Sequence, residues 1–446
     1  MTDTTVRQPA PPPPPPPPGP QGEIAGQDWR LGLLVAGTLA FGVLAGRGWL
    51  LIIGALVVMI FLHELGHYLT AKWSGMKVTE FFLFFGPKIW SFKRGDTEYG
   101  IKLIPLGAYV RIIGMSNVDP DVAPEDEPRT FRQQSYPKRL LVVSAGSLMH
   151  LLQAFVLFVV VFSVLGVPGQ STLAERLGGR APVESDWSVG NVVEGSAAAD
   201  AGLRPGDDLV SIAGEPVETF EAVGPLVAPN PGDEVELVVM REGREVRLDA
   251  ILGTNEQDRS KGFLGIGPGF DLPDVRANPL RGAVESGRLT GEIMGQTVQG
   301  LASFFTGGVD DFAADVADGG NRGADPTVTG SGSGGGRAPG EGDENRLISI
   351  YGIARIGAGA SEDGMVNFLL LMAGINISIG LLNMVPLLPL DGGHVAIATY
   401  ERIRSIGGRR HMADVSRLLP LTYAVLLAML LLGVSSIYLD IVDPIG

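Results

Sequence analysis

The chain contains no cysteine. That excludes disulfides, cysteine-ligated zinc, iron–sulfur clusters and thiol catalysis together, and it leaves the redox compartment open. Positive charge is also short. The 34 Lys and Arg stand against 49 Asp and Glu, for a formal net charge of -15, which argues against nucleic acid as a partner. No cleavable signal is expected at the N-terminus. Residues 1–29 are polar and carry a proline run from Pro11 to Pro18, which reads as an extended, disordered tail. The chain does contain long apolar runs. Of its 446 residues 45% are hydrophobic, clustered into stretches that alternate with segments of ordinary soluble composition. That alternation predicts a polytopic α-helical membrane protein with a soluble insert.

The runs predict about five spans: Leu31–Ala45, which is short for a span, then Trp49–Trp73, Leu140–Val167, Met365–Leu390 and Leu418–Tyr438. Basic residues concentrate between the second and third, from Lys72 through Lys88, Lys93, Arg94 and Lys102 to Arg139, and again at Arg402, Arg404, Arg409 and Arg410. Basic flanks mark the cytoplasmic side. The two clusters share a side if the insert and the C-terminus lie outside. The domains expected are a first membrane part over 30–167, a soluble insert over 188–265, an amphipathic helix over 281–306, a disordered Gly-rich loop over 308–346 and a second membrane part over 347–446.

One motif carries chemistry. His63-Glu64-Leu65-Gly66-His67 sits inside the second apolar run. Residues four apart share a helix face, so both imidazoles reach one metal ion, with zinc the usual choice. Glu64 stands beside the first ligand as general base and later proton donor. Five histidines in 446 residues predict only about 0.006 chance matches to such a pattern. Ionisable groups within a span are costly and are functional candidates by default. A catalytic zinc normally takes three protein ligands. Glu80 and Glu98 are near in sequence, but neither sits clearly at the depth of the histidines. Asp391 is the better candidate: it closes an apolar stretch interrupted by Pro386 and Pro389, at the basic end of its span as the histidines are of theirs. The bland alternative is a helix-end carboxylate at the membrane interface.

His63-Glu64-Leu65-Gly66-His67 together with Asn383-Met-Val-Pro386-Leu-Leu-Pro389-Leu390-Asp391-Gly392 resembles the site-2 proteases, in their bacterial branch with a PDZ domain. The resemblance implies one zinc per chain with Asp391 as third ligand, and a substrate-binding role for Asn383 and Pro386. A Gly-Pro-x-x-Asn-type family motif is matched here by Gly146-Ser147-Leu148-Met149-His150. Ser147 replaces the proline and His150 the asparagine, so two readings of His150 stand: a bond to substrate carbonyl or oxyanion, or a satisfied core histidine. Residues 81–115 read as a β-hairpin turning at Gly95-Asp96, either a cytoplasmic surface hairpin or, as the resemblance implies, a membrane-associated one. The resemblance implies that it pairs with substrate by strand addition, with Gly107 and Tyr109 among the substrate-binding residues.

Residues 188–265 resemble a PDZ domain (α+β), most plainly at Leu203-Arg204-Pro205-Gly206-Asp207-Asp208-Leu209-Val210. Its groove takes peptide or only excludes bulky ectodomains. The function implied is zinc-dependent intramembrane endopeptidase activity on transmembrane segments of single-pass proteins, of the anti-sigma-factor or remnant-signal-peptide type. Membrane lipid is the surroundings, and the location is a bacterial cell membrane with the PDZ domain outside and the zinc toward the cytoplasm. Two rivals are a non-proteolytic PDZ scaffold and a membrane-anchored zincin that cuts soluble cytoplasmic proteins. An intact Glu64 argues against the scaffold, which has no need of a general base between two ligands.

Overall fold

The computed structural model describes residues 28–115, 122–180, 187–254, 260–270, 272–304, 306, 348–406 and 411–442. The N-terminal tail up to residue 27 and the 308–346 loop lie outside them.

Among the described residues four helical segments are long and apolar enough to cross a membrane: Arg47–Trp73, Tyr136–Leu165, Met365–Asn383 and Val415–Val442. The first expected span falls in α1 (Asp28–Ala45), whose apolar part, Ala36–Ala45, is too short to join this set. Gly46, at φ 93°, separates it from α2 (Arg47–Trp73). The left-handed conformation there suits a residue without Cβ.

After α2 come β1 (Val78–Arg94) and β2 (Thr97–Ile112). They are more than the simple hairpin the turn at Gly95-Asp96 predicts. Phe81 faces both Val110 and Tyr99, and Phe82 faces both Tyr109 and Gly100, while 90–94 pairs with 97–101. Each strand therefore folds back on itself. The result is a curled sheet of four segments, in the order 108–112, 78–85, 97–104 and 88–94. Positive φ at Phe84, Gly86 and Gly107 marks the bends. Neighbouring segments approach closely: a Cβ on Gly100 would lie 2.6 Å from the Phe82 ring. The sheet base packs on the membrane core through Met76, Val78, Ile112 and Phe131, against Ala71 of α2 and Val142 and Val143 of α3 (Tyr136–Val160).

A short α4 (Thr172–Leu177) leads to a β-rich body. Its strands are β3 (Trp187–Val192), β4 (Asp208–Ile212), β5 (Glu215–Pro216), β6 (Glu234–Arg241), β7 (Arg244–Ile251), β8 (Gly253–Thr254), β9 (Gly262–Phe263) and β10 (Ile266–Phe270). Two small helices, α5 (Ala197–Asp200) and α6 (Val223–Val227), close it. The sheet order is β5-β4-β6-β7, with β10 paired to β3 and β8 to β9. Val189, Ile212, Leu237 and Val239 are fully buried in one core. Asp207 accepts both Arg241 Nε and Nη2 at 2.7 Å and the Arg204 N–H at 2.9 Å.

Helix α7 (Pro279–Ser303) returns the chain to the membrane part, capped by Asn278, whose side chain accepts the Arg281 N–H. Then follow α8 (Ile350–Glu362), α9 (Met365–Asn383), α10 (Asp391–Arg404) and α11 (Leu419–Val442). Phe158 and Ala154 of α3 pack on Ala373 and Ile377 of α9, and Ile52 and Met59 of α2 on Phe368 and Met372. So α2, α3 and α9 form the bundle centre. The last helix joins the others chiefly at its far end, where buried Asp440 accepts the Ser349 N–H at 2.8 Å.

The fourth expected span, Met365–Leu390, needs correcting at its end. Helix α9 stops at Asn383, and 384–390 is irregular. Pro386 and Pro389 cannot donate to a helix, so a turn replaces the last part of the span.

Candidate metal centre and active site

Helix α2 is apolar along its length and carries His63, Glu64 and His67 about 9–15 Å from its Trp73 end. Both histidines are buried. Asp391 arrives from the far end of the chain as the first residue of α10. The three meet. His63 Nε2 and His67 Nε2 are 3.2 Å apart, and Asp391 Oδ2 lies 3.5 Å from the first and 3.4 Å from the second. Donor atoms held ~2.0–2.1 Å from a tetrahedral zinc lie about 3.3–3.4 Å from one another. The triangle has those edges already. Among the described residues it is the one group of three His, Asp or Glu ligand atoms able to hold a metal ion.

The surroundings fit the same ion. His67 Nδ1 donates to the Val142 carbonyl at 2.7 Å, which turns its Nε2 lone pair into the triangle and fixes the ring. Asp391 Oδ2 is buried and has no hydrogen-bond partner among the described residues. A carboxylate oxygen so placed calls for a cation. On α3, Gly146 faces the two rings. A Cβ there would lie 2.6 Å from His63 Nε2 and closer still to His67 Nε2, so any side chain would fill the space between the ligands.

Glu64 is half-buried, and the backbone N–H of Val110, on the 108–112 segment, is turned toward its carboxylate. One strand of the curled sheet thus runs beside Glu64. Gly107, at φ 119°, is the bend that starts this segment. Tyr109 is taken up within the sheet: its hydroxyl donates to Glu80 at 2.5 Å, receives Lys102 Nζ at 2.6 Å, and its ring stacks on Phe82 and Phe85. Glu80 and Glu98 belong to that sheet too, Glu98 paired with Lys88. Neither is in the triangle.

His150 is 2% exposed, with its ring centroid 4.9 Å from that of His63. Its Nδ1 lies 3.0 Å from Asn376 Oδ1. Asn376 donates its own amide to the Met372 carbonyl, so the oxygen faces the histidine and His150 Nδ1 is the donor. The ring is therefore both beside the centre and satisfied on one nitrogen. Asn383 is half-buried at the end of α9, while Pro386 lines a separate cavity of about 660 Å³ between α10 and the start of α11.

Sequence reasoning passed over several groups here. Asn376 was the findable one, since an amide in an apolar span is costly unless bonded. The Val142 carbonyl, the Val110 N–H and the role of Gly146 depend on contacts between distant segments. So does the pair Gly392-Gly393. A Cβ on Gly392 would strike the Met384 and Val385 carbonyls, and one on Gly393 would lie 2.6 Å from the Leu388 nitrogen. The turn can wrap over the start of α10 only because both are glycine.

Comparison with known sequences agrees in kind. The sequence profile of peptidase family M50 matches residues 51–319 and 336–430. Zinc metalloprotease Rip1 of Mycolicibacterium smegmatis is 31% identical over 426 residues, covering 90% of this chain and 98% of that protein. Zinc metalloprotease Rip1 of Mycobacterium tuberculosis is 32% identical over 421 residues, covering 88% and 96%.

Proposed function

The chain belongs to peptidase family M50, the site-2 protease family of zinc metalloendopeptidases, and on that premise we propose that it cuts substrates within the membrane, with His63, His67 and Asp391 as zinc ligands and Glu64 as the acid–base residue. The observation that carries this reading is the triangle of 3.2–3.5 Å, assembled from the apolar helix α2 and the first residue of α10, segments more than three hundred residues apart. Membership in an enzyme family also sets aside the scaffold reading.

Zinc, when bound, polarises the scissile carbonyl and makes a water molecule nucleophilic near neutral pH. The chain's own residues do the rest. Glu64 takes a proton from the attacking water, then delivers it to the departing amine, leaving one new carboxylate and one new amino terminus. Val142 keeps His67 in the ligating tautomer. Gly146 keeps the space before the ligands open. His150, anchored by Asn376, presents its ring beside the reacting carbonyl. The 108–112 segment offers a strand edge next to Glu64. A helical peptide hides its carbonyls in hydrogen bonds, so a transmembrane substrate must unwind to be cut. Strand addition beyond Gly107, with Asn383 holding the freed backbone, supplies that conformation.

The proposed substrates are single-pass membrane proteins of the anti-sigma-factor or remnant-signal-peptide type. The β-rich body over 187–270 is read as the PDZ domain on the outer side, limiting substrate size or taking a peptide, with the curled sheet and zinc toward the cytoplasm. With α1 counted, the chain would have five spans. The test is cleavage of a single-span substrate in membranes, with product ends mapped by mass spectrometry. Wild type should cut inside the apolar segment. Glu64→Gln should lose about 10²–10⁴-fold in rate while retaining its zinc. Cleavage confined to a soluble segment would favour the membrane-anchored zincin instead.

A further inference from the structure

Two of the three ligand atoms ride on one rigid helix. The third does not. Asp391 follows the irregular turn 384–390 and is the first residue of α10, so its place is set by how α10 docks. The helix it docks on is α3. That interface holds a buried ion pair: Arg139 Nη2 donates to Glu401 Oε2 at 2.6 Å, with Arg139 9% and Glu401 5% exposed. Glu401 Oε1 also accepts the Ala413 N–H at 2.7 Å, and the Arg139 guanidinium lies over the Phe131 ring, 4.9 Å from its centroid. Nearby, the Tyr136 hydroxyl lies 3.2 Å from Thr399 Oγ1. The two helices run antiparallel. Gly146 and Asp391 stand at the metal-centre end of the interface, Arg139 and Glu401 at the other.

We infer that Arg139 and Glu401 are positioning residues that fix the register of α10 on α3, and through it the reach of Asp391 to His63 and His67. The inference rests on Asp391 being the third ligand. A slip of one helical residue moves α10 by about 1.5 Å, whereas metal–ligand distances tolerate only about 0.2 Å. A buried ion pair is commonly no more stabilising than an apolar pair of the same volume, so fold stability alone gives little reason for one here. A directional hydrogen bond from Arg139 Nη2 to Glu401, whose other oxygen is held by the Ala413 N–H, favours one register where an apolar contact tolerates several.

The full-length protein in detergent tests this, with Glu401→Gln, Arg139→Met, the apolar pair R139M/E401L and Asp391→Ala beside wild type. Zinc affinity is read by competition with a chromophoric chelator, and coordination by the visible spectrum of the cobalt-loaded protein. We expect zinc to bind about 10–100-fold more weakly in the single variants and in the apolar pair, with weaker four-coordinate cobalt bands, while the thermal midpoint of the apolar pair stays near wild type. Should the single variants fail to fold, the apolar pair alone decides. Wild-type zinc affinity and cobalt spectrum in the apolar pair, with zinc lost in Asp391→Ala, would overturn the register role and leave the ligand reading intact. Wild-type zinc affinity in Asp391→Ala would instead overturn the ligand reading, and this inference with it.

Discussion

At position 146 a hydrogen atom is all that fits between α3 and the two imidazoles. Gly146→Ala is therefore expected to bind zinc about 10–100-fold more weakly with little loss of helix content, measured by chelator competition and circular dichroism. A side chain on the opposite face of the same helix gives the contrast: Leu148, 53% exposed, should tolerate Ala with unchanged zinc. The sequence made the pairing of His63 and His67 readable because four-residue spacing is a local property of a helix. Asp391 was readable less directly, through the Pro-Leu-Asp-Gly pattern and its depth. Gly146 is visible in the sequence only as a motif position, and its role, like that of the Val142 carbonyl, is not legible, because each acts across a helix–helix contact. A glycine's function is the side chain it lacks, and only the neighbour shows which one would clash.

The elements repeat that contrast. Helices α2, α3 and α11 announce themselves by apolar length. The curled sheet announces only one turn, at Gly95-Asp96. Its other bends, at Phe84, Gly86 and Gly107, lie inside strand-like sequence and arise where segments 78–85 and 97–104 pair. The expected span runs past the end of α9 because Met384–Leu390 is as apolar as a span, although Pro386 and Pro389 forbid a helix there. In the β-rich body, burial pushes Asp207 up, but the Arg241 guanidinium and the Arg204 N–H outweigh it and hold the carboxyl below the usual carboxylate range. A carboxylate depressed in the folded state stabilises at pH values above its unfolded pKa, and that contribution is lost as pH falls through the folded one. Arg241→Gln should therefore cost about 1.5–3 kcal/mol at pH 7. The difference from wild type should shrink as the pH drops below about 4, as followed by urea unfolding of the body's tryptophan, Trp187.

The whole molecule places the buried His63–His67–Asp391 triangle where α2, α3 and α10 meet, with the curled sheet packed on α2 and α3 and the β-rich body joined through α4 and α7. The absence of cysteine makes its orientation directly measurable. Lys93→Cys, exposed on the sheet, should react with an impermeant maleimide only after spheroplasts are opened, and Glu215→Cys, exposed on β5, should react in intact ones. The reverse pattern would invert the proposed sidedness. The central claim is narrower than orientation: one zinc, held by two residues of α2 and one of α10. Metal analysis of the purified protein tests it most directly. The account requires close to one zinc per chain in wild type and nearly none in His67→Ala or Asp391→Ala. Equal zinc in all three would contradict it.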